Sequence, residues 1–219
     1  MPNWCQQNLV VVGPADDLTA LKTAVFDGSE RGDLNHLVPV PAELANTVAG
    51  FFGDPEEQAK QAATEQANME KYGFKDWYDW CVENWGTKWG ACDVDMDTES
   101  IHGPEYWSGH FQSAWCPAEG LIKSISAQYP NLVFGISFIE ESDAFAGWTV
   151  WRAGKTLAEV SYEPQVPAGD WDSPEFDEEA HYEQLCDIRN TISEHCHDSM
   201  VKLVEGFYKT RKVYSETGG

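Results

Sequence analysis

The chain has 219 residues, 42% of them hydrophobic and 13% aromatic, which is material for one domain, or one domain with a large insertion, and excludes wholesale disorder. No run approaches the ~20 apolar residues of a membrane helix. Against 37 acidic residues stand 14 basic ones, a formal charge of −23 that opposes direct contact with nucleic acid or anionic lipid headgroups.

The first apolar run, Asn8-Leu-Val-Val-Val-Gly13, reads as a buried strand. Pro14 and Asp16 open a helix with Leu18, Leu21 and Val25 on one side, closed by Asp27-Gly28. Leu37 to Pro41 is extended, because each proline restricts its neighbour and removes a donor. Glu56 to Lys71 contains helix formers and no breaker, but its apolar side is only alanine, so the helix is weakly anchored. Asp76 is a good cap for a helix carrying Trp77, Trp80, Cys81 and Trp85 on one stripe, with Gly86 as its stop.

From Asp93 to Glu99 polar and apolar residues alternate strictly, which predicts a half-exposed strand. Trp107 to Trp115 alternates as well, with Trp107, Phe111 and Trp115 on one side. Pro117 at a first helical position starts another helix, with Leu121, Ile122 and Ile125 inward, ended by Pro130. Leu132–Ile139 is a buried strand, and Phe145–Trp151 with Leu157–Tyr162 flank Ala153-Gly154 as a hairpin. After the prolines and glycine near 164–169, the stretch Pro174–Val213 is a long helix. Leu185, Ile188, Ile192, Cys196, Met200, Leu203 and Phe207 form its stripe, predicted to dock on its own domain rather than into a coiled coil.

The expected fold class is therefore α+β, a ferredoxin-like split βαβ sandwich spanning 1–163. It carries a Trp-rich helical insertion at about 39–91 after the first helix and an added β-hairpin. An acidic linker and long C-terminal helix, 164–219, pack on the same domain. Cys5, Cys81, Cys92, Cys116, Cys186 and Cys196 lack any CxxC pair. With no basic or apolar leader at Met1–Cys5, they read as reduced thiols of a cytoplasmic protein.

Four stretches are distinctive: Met1-Pro-Asn-Trp-Cys5 with Asn8, Trp80-Cys-Val-Glu-Asn-Trp-Gly-Thr-Lys-Trp89, Phe111-Gln-Ser-Ala-Trp-Cys-Pro117, and Phe145-Ala-Gly147. Together they resemble the YubB-type ferredoxin-like domain family of plasmid and bacteriophage proteins, over roughly 1–163. The resemblance implies the sandwich topology and an accessory gene of a mobile element. It implies no iron–sulfur cluster and carries over no catalytic residues.

Asp93-x-Asp95-x-Asp97-x-Glu99 looks like the front of a calcium loop, yet Thr98 and Pro104 stand where an EF-hand needs glycine and glutamate. On a strand these carboxylates would project ~7 Å apart, as a solvated acidic face rather than a chelate. His181, Cys186, His195, Cys196 and His197 suggest zinc, but on one helix Cys186 and His197 are separated by about 16 Å of rise. No metal or cofactor is expected, and no catalytic residue is identifiable. Trp77, Trp80, Trp85 and Trp89 read as anchors of the insertion onto the sandwich.

The function expected from these features is that of a non-enzymatic accessory protein that binds a host protein with a basic surface, without nucleic acid or membrane as partner. It acts as an acidic nucleic-acid mimic or anti-defence factor. The protein-binding candidates are Asp93, Asp95, Asp97 and Glu99, and Asp170, Asp172, Asp177, Glu178 and Glu179 near the start of the last helix. Two other readings stay open: a small hydrolase or metal-dependent enzyme whose site assembles only in three dimensions, and a structural helper.

Overall fold

Leu9 to Val12 are aliphatic and mostly β-branched, and all are buried, which suits the central strand of a sheet covered on both faces. The computed structural model describes residues 2–50, 53–99, 102–167, 169 and 176–217, and β1 (Trp4–Val12) lies at its centre. β1 pairs antiparallel with β3 (Tyr106–Ala114) on one side and β4 (Val133–Glu140) on the other. β2 (Cys92–Met96) extends the sheet beyond β3, and β5 (Ala146–Arg152) and β6 (Lys155–Tyr162) extend it beyond β4. The order is β2-β3-β1-β4-β5-β6. Helix α1 (Ala15–Val25) connects towards β2 and, after α2 (Ala42–Ala45), α3 (Pro55–Tyr72) and α4 (Trp77–Trp85), α5 (Glu119–Gln128) connects β3 to β4. The first four strands with α1 and α5 thus follow the ferredoxin-like order. The β5–β6 hairpin closes through Ala153 and Gly154, both left-handed at φ 49° and 74°, as a two-residue turn between twisted strands demands.

Alternation along the strands produces two faces. Leu9 and Val11, Trp107 and Phe111, and Phe134 and Ile136 pack with Leu18 and Leu21 of α1 and Leu121, Ile122 and Ile125 of α5. On the opposite face Val10, Val12, Val133 and Val150 meet Met200 and Val204 of α6 (Glu178–Thr217), and Cys196 packs on Ile139 and Ala146. The long helix is docked on the sheet. Its most buried stripe is Cys196, Met200 and Val204, while Leu185, Ile188, Ile192, Leu203 and Phe207 are half-buried. Gly135 makes this approach feasible: a Cβ there would stand 2.4 Å from Met200 Sδ and 2.6 Å from Val204 Cγ2.

The helices between α1 and β2 follow their end signals. Asp54 and Glu57 form a reciprocal capping box, and Gly73 closes α3 at φ 77°. Only Asn68 of α3 is buried, in keeping with its alanine side. Asp76 accepts the Asp79 amide at 3.0 Å to cap α4, which Gly86 ends at φ 80°.

Three expectations need correction. Leu37 belongs to a 3₁₀ turn, Asn35–Leu37, rather than to the extended stretch. Pro117 does not begin α5, which starts at Glu119. The Ala118 amide donates instead to Gln7 Oε1 at 3.0 Å, so the chain is tied sideways to β1 before it coils. β2 ends at Met96 and contains a bulge between Cys92 and Asp95, with Asp93 at φ 46°, so the strict alternation to Glu99 is broken.

Candidate functional site

The acidic candidates do not stand on one strand. Asp93 and Asp95 are in β2, Asp97 and Glu99 beyond it. Asp95 pairs with Arg31 at 3.3 Å and approaches His110 Nε2 at 3.8 Å. Asp97 accepts the Ser108 hydroxyl through its carboxylate and the Trp107 indole N–H through its carbonyl, at 2.7 Å for the latter. These two carboxylates therefore help to fasten β2 to its surroundings. Asp93 and Glu99 are exposed. Asp177 accepts the Ala180 amide at 3.0 Å and caps α6, and Glu178 and Glu179 lie in that helix's first turn, where the macrodipole favours acid. Asp170 and Asp172 lie outside the described residues.

A different surface draws the distinctive sequence words together. Trp4 opens β1, Trp89 follows α4, and Trp115 follows β3; their indoles form a row with centroid separations of 6.2 Å and 5.9 Å. Trp115 is the residue whose position the alternation misplaces. One residue past β3, it adopts a left-handed backbone at φ 64°, and its ring turns away from the core with 46% of the residue exposed. That conformation costs an L-residue about 1–2 kcal/mol. Its amide donates to Asn3 O at 2.8 Å, and neighbouring Thr87 donates its hydroxyl to Ala114 O at 2.7 Å, so the strained turn is held from both sides.

Helix α4 supplies the other half. Trp80 and Trp85 are buried and pack edge to face at 5.5 Å, fixing the helix, with Trp85 Nε1 donating to Val38 O at 2.9 Å. Gly120 lets α5 come close: a Cβ there would lie 2.7 Å from Asn84 O and 3.0 Å from Gly86 N. The opposite side of α4 presents Tyr78 and Val82, 39% and 43% exposed, one turn apart. Trp77 is half-buried, and Trp89 is 36% exposed. Trp80 and Trp85 are thus core residues, Trp77 is half-buried, and Trp89 is the most exposed of the four.

Between the two groups of rings lies Lys88. Its Nζ is 4.6 Å from the Trp89 centroid, 5.7 Å from Trp115, 5.8 Å from Trp77 and 6.0 Å from Tyr78. Among the described residues no carboxylate comes within 4 Å of it.

Beside Trp115 a groove of about 710 Å³ runs along the α5 side of the sheet, with Phe138, Phe145, Pro117 and Val160 as apolar lining and Glu119, Glu159 and Cys116 as polar lining. Glu119 is engaged by the Thr149 hydroxyl. The Cys116 thiol donates to Gly86 O at 3.0 Å, and burial pushes it above its ordinary range, as it does the Cys92 and Cys196 thiols and Cys81, pushed up to about 12. At neutral pH these sulfurs are protonated and act as packing groups. All six cysteines are free. Among the described residues no group of three His, Cys, Asp or Glu side chains is placed to hold a metal ion. Among them also, no helix is long and apolar enough to cross a membrane.

No curated protein matches the chain. The crystal structure of the protein Api92 from Yersinia pseudotuberculosis is similar at 9% identity and a TM-score of 0.46, over 78% of this chain and 100% of that one. Residues 84–183, which carry Lys88, Trp89, Trp115 and the adjoining groove, match the family model described as the ferredoxin-like domain in Api92-like protein.

Proposed function

We propose that this is a non-enzymatic protein that binds a basic host protein and does so through the aromatic end of its sheet. The observation that carries the reading is the joint exposure of Tyr78, Trp89 and Trp115 around Lys88, with Val82 exposed one turn from Tyr78. Exposed apolar clusters of this kind mark interaction surfaces, and Trp and Tyr dominate the energetics of such contacts. The charge of −23 selects a basic partner and speeds its approach, while the aromatic side chains supply the short-range attraction. Asp93, Asp95, Asp97 and Glu99, with Glu178 and Glu179, contribute to that field; phosphate mimicry is one form it takes. The YubB-type resemblance adds the setting of a phage or plasmid accessory protein, with residues 39–91 as an insertion that brings α4 to the site.

The test is affinity capture from bacterial lysate with the wild-type protein, the Trp89→Ala/Trp115→Ala variant and the Asp93→Lys/Asp95→Lys/Asp97→Lys variant. The expected result is a basic protein recovered with the wild type, at least ~10-fold less of it with the tryptophan variant, and recovery that falls between ~50 and ~200 mM salt. Equal recovery with the tryptophan variant, in a protein shown to be folded, contradicts the reading. If that variant fails while the lysine variant captures normally, the aromatic end remains the contact and mimicry by the β2 carboxylates is wrong.

A further inference from the structure

We infer that Trp77, Tyr78, Trp89 and Trp115 form an ammonium-binding cage, which Lys88 fills in the free protein and which a lysine or methylated-lysine side chain of the basic partner enters in exchange. The inference rests on the protein-binding reading above and names the chemistry recognised at its centre.

Four rings from three separate parts of the chain converge on one cation. Trp77 and Tyr78, on α4, meet at 5.9 Å and near right angles; Trp89 and Trp115 stack at 5.9 Å and 30°. The Lys88 ammonium lies between these pairs, within 6.0 Å of every centroid. Electron-rich ring faces attract a cation, and a weakly hydrated methylated ammonium gains most because it loses least water on entry. The walls are fixed: α4 is held by Trp80 and Trp85, and Trp115 by its left-handed backbone and its bond to Asn3. The plug is a side chain with a flexible four-carbon stem, and no carboxylate among the described residues pins it within 4 Å. A rigid cage with a removable occupant is suited to exchange. Charge points to the same occupant, because a protein at −23 draws cations rather than anions to its surface, and α4 carries Asp79 and Glu83 beside Tyr78 and Val82.

The experiment titrates tetramethylammonium into the folded full-length protein, following the indole N–H resonances by NMR, with sodium acetate and sodium chloride as controls at equal ionic strength. The resonances of Trp89 and Trp115, assigned with single Trp→Phe variants, should shift saturably with tetramethylammonium and stay unmoved by the controls. Lys88→Ala empties the cage and should bind roughly 2- to 30-fold tighter, the factor matching the cation–π attraction it removes. Lys88→Arg keeps a cation in place and should stay near the wild type, which separates exchange from a general loosening of the site. No saturable shift in Lys88→Ala overturns the cage, as does a response to acetate that Lys88→Ala abolishes, since the lysine would then be the binding group for an anion. Because the titration needs no partner, it is independent of capture. Saturable ammonium binding with tryptophan-independent capture would refute the aromatic end as the partner's contact, and with it the entry of the partner's lysine, whereas Trp-dependent capture without ammonium binding would refute only the cage.

Discussion

At the level of single residues, Trp115 combines a disfavoured backbone with an exposed ring, and these can be separated. Trp115→Ala removes the indole and keeps the left-handed strain, whereas Trp115→Gly removes both. Glycine should therefore be the more stable of the two by about 1 kcal/mol in denaturant titration, and both should lose the partner equally. Stability and binding would then part company at one position. The ring's exposure was not legible in the sequence, because Trp107, Phe111 and Trp115 continue one alternating series and two of the three are indeed in the core. The sign of a change was Pro117, two residues on, which cannot extend a strand interior. The caps of α4 were legible, since Asp76 and Gly86 perform locally what their residue types allow.

Among the elements, α6 converts an open ferredoxin-like sheet into one covered on both faces. Gly135→Val would drive a branched side chain into Met200 and Val204, and should destabilise the fold by about 1–3 kcal/mol while leaving the packing of α1 and α5 on the other face intact. Arg189 fastens the first half of the helix: it donates twice to Asp143 at 2.7 Å and once to Glu141 O at 3.0 Å. Arg189→Ala leaves the buried Asp143 carboxylate without that partner and should cost about 2 kcal/mol, measured as loss of amide protection along residues 178–196.

His197, on the same helix, is held below its ordinary value of 6.5 by burial, against an opposing pull from Asp198, and its Nδ1 is buried with no hydrogen-bond partner among the described residues. The unfolded chain therefore takes up a proton that the folded chain refuses. Stability contributed by this residue is intact above about pH 6.5 and declines as pH falls below it, and a His197→Gln variant should lack that component. The helix and its docking were legible from the three- and four-residue spacing of the apolar stripe from Leu185 to Phe207; Val204, four residues beyond Met200, was not, because the phase of a long helix on a twisted sheet is set by the sheet. The same cause hid the bulge in β2. Alternation reports which residues differ in polarity, while register belongs to the neighbouring strand.

For the molecule as a whole, the sequence made charge and class plain but not where recognition would be sited. Of the carboxylates nominated from the sequence, Asp95, Asp97 and Asp177 have structural engagements, and the site that assembles best is built from rings that looked like core. Charge and rings should act on different parts of binding, long-range attraction and short-range contact. The affinity of the captured partner, measured against salt for the wild type and for Trp89→Ala/Trp115→Ala, tests this division most directly. Two parallel declines of log K with log salt, the variant displaced at least ~100-fold weaker throughout, are the predicted result. Coincident lines would show that the aromatic end makes no contact, and a flat wild-type line would show that the charge of −23 has no part in recognition.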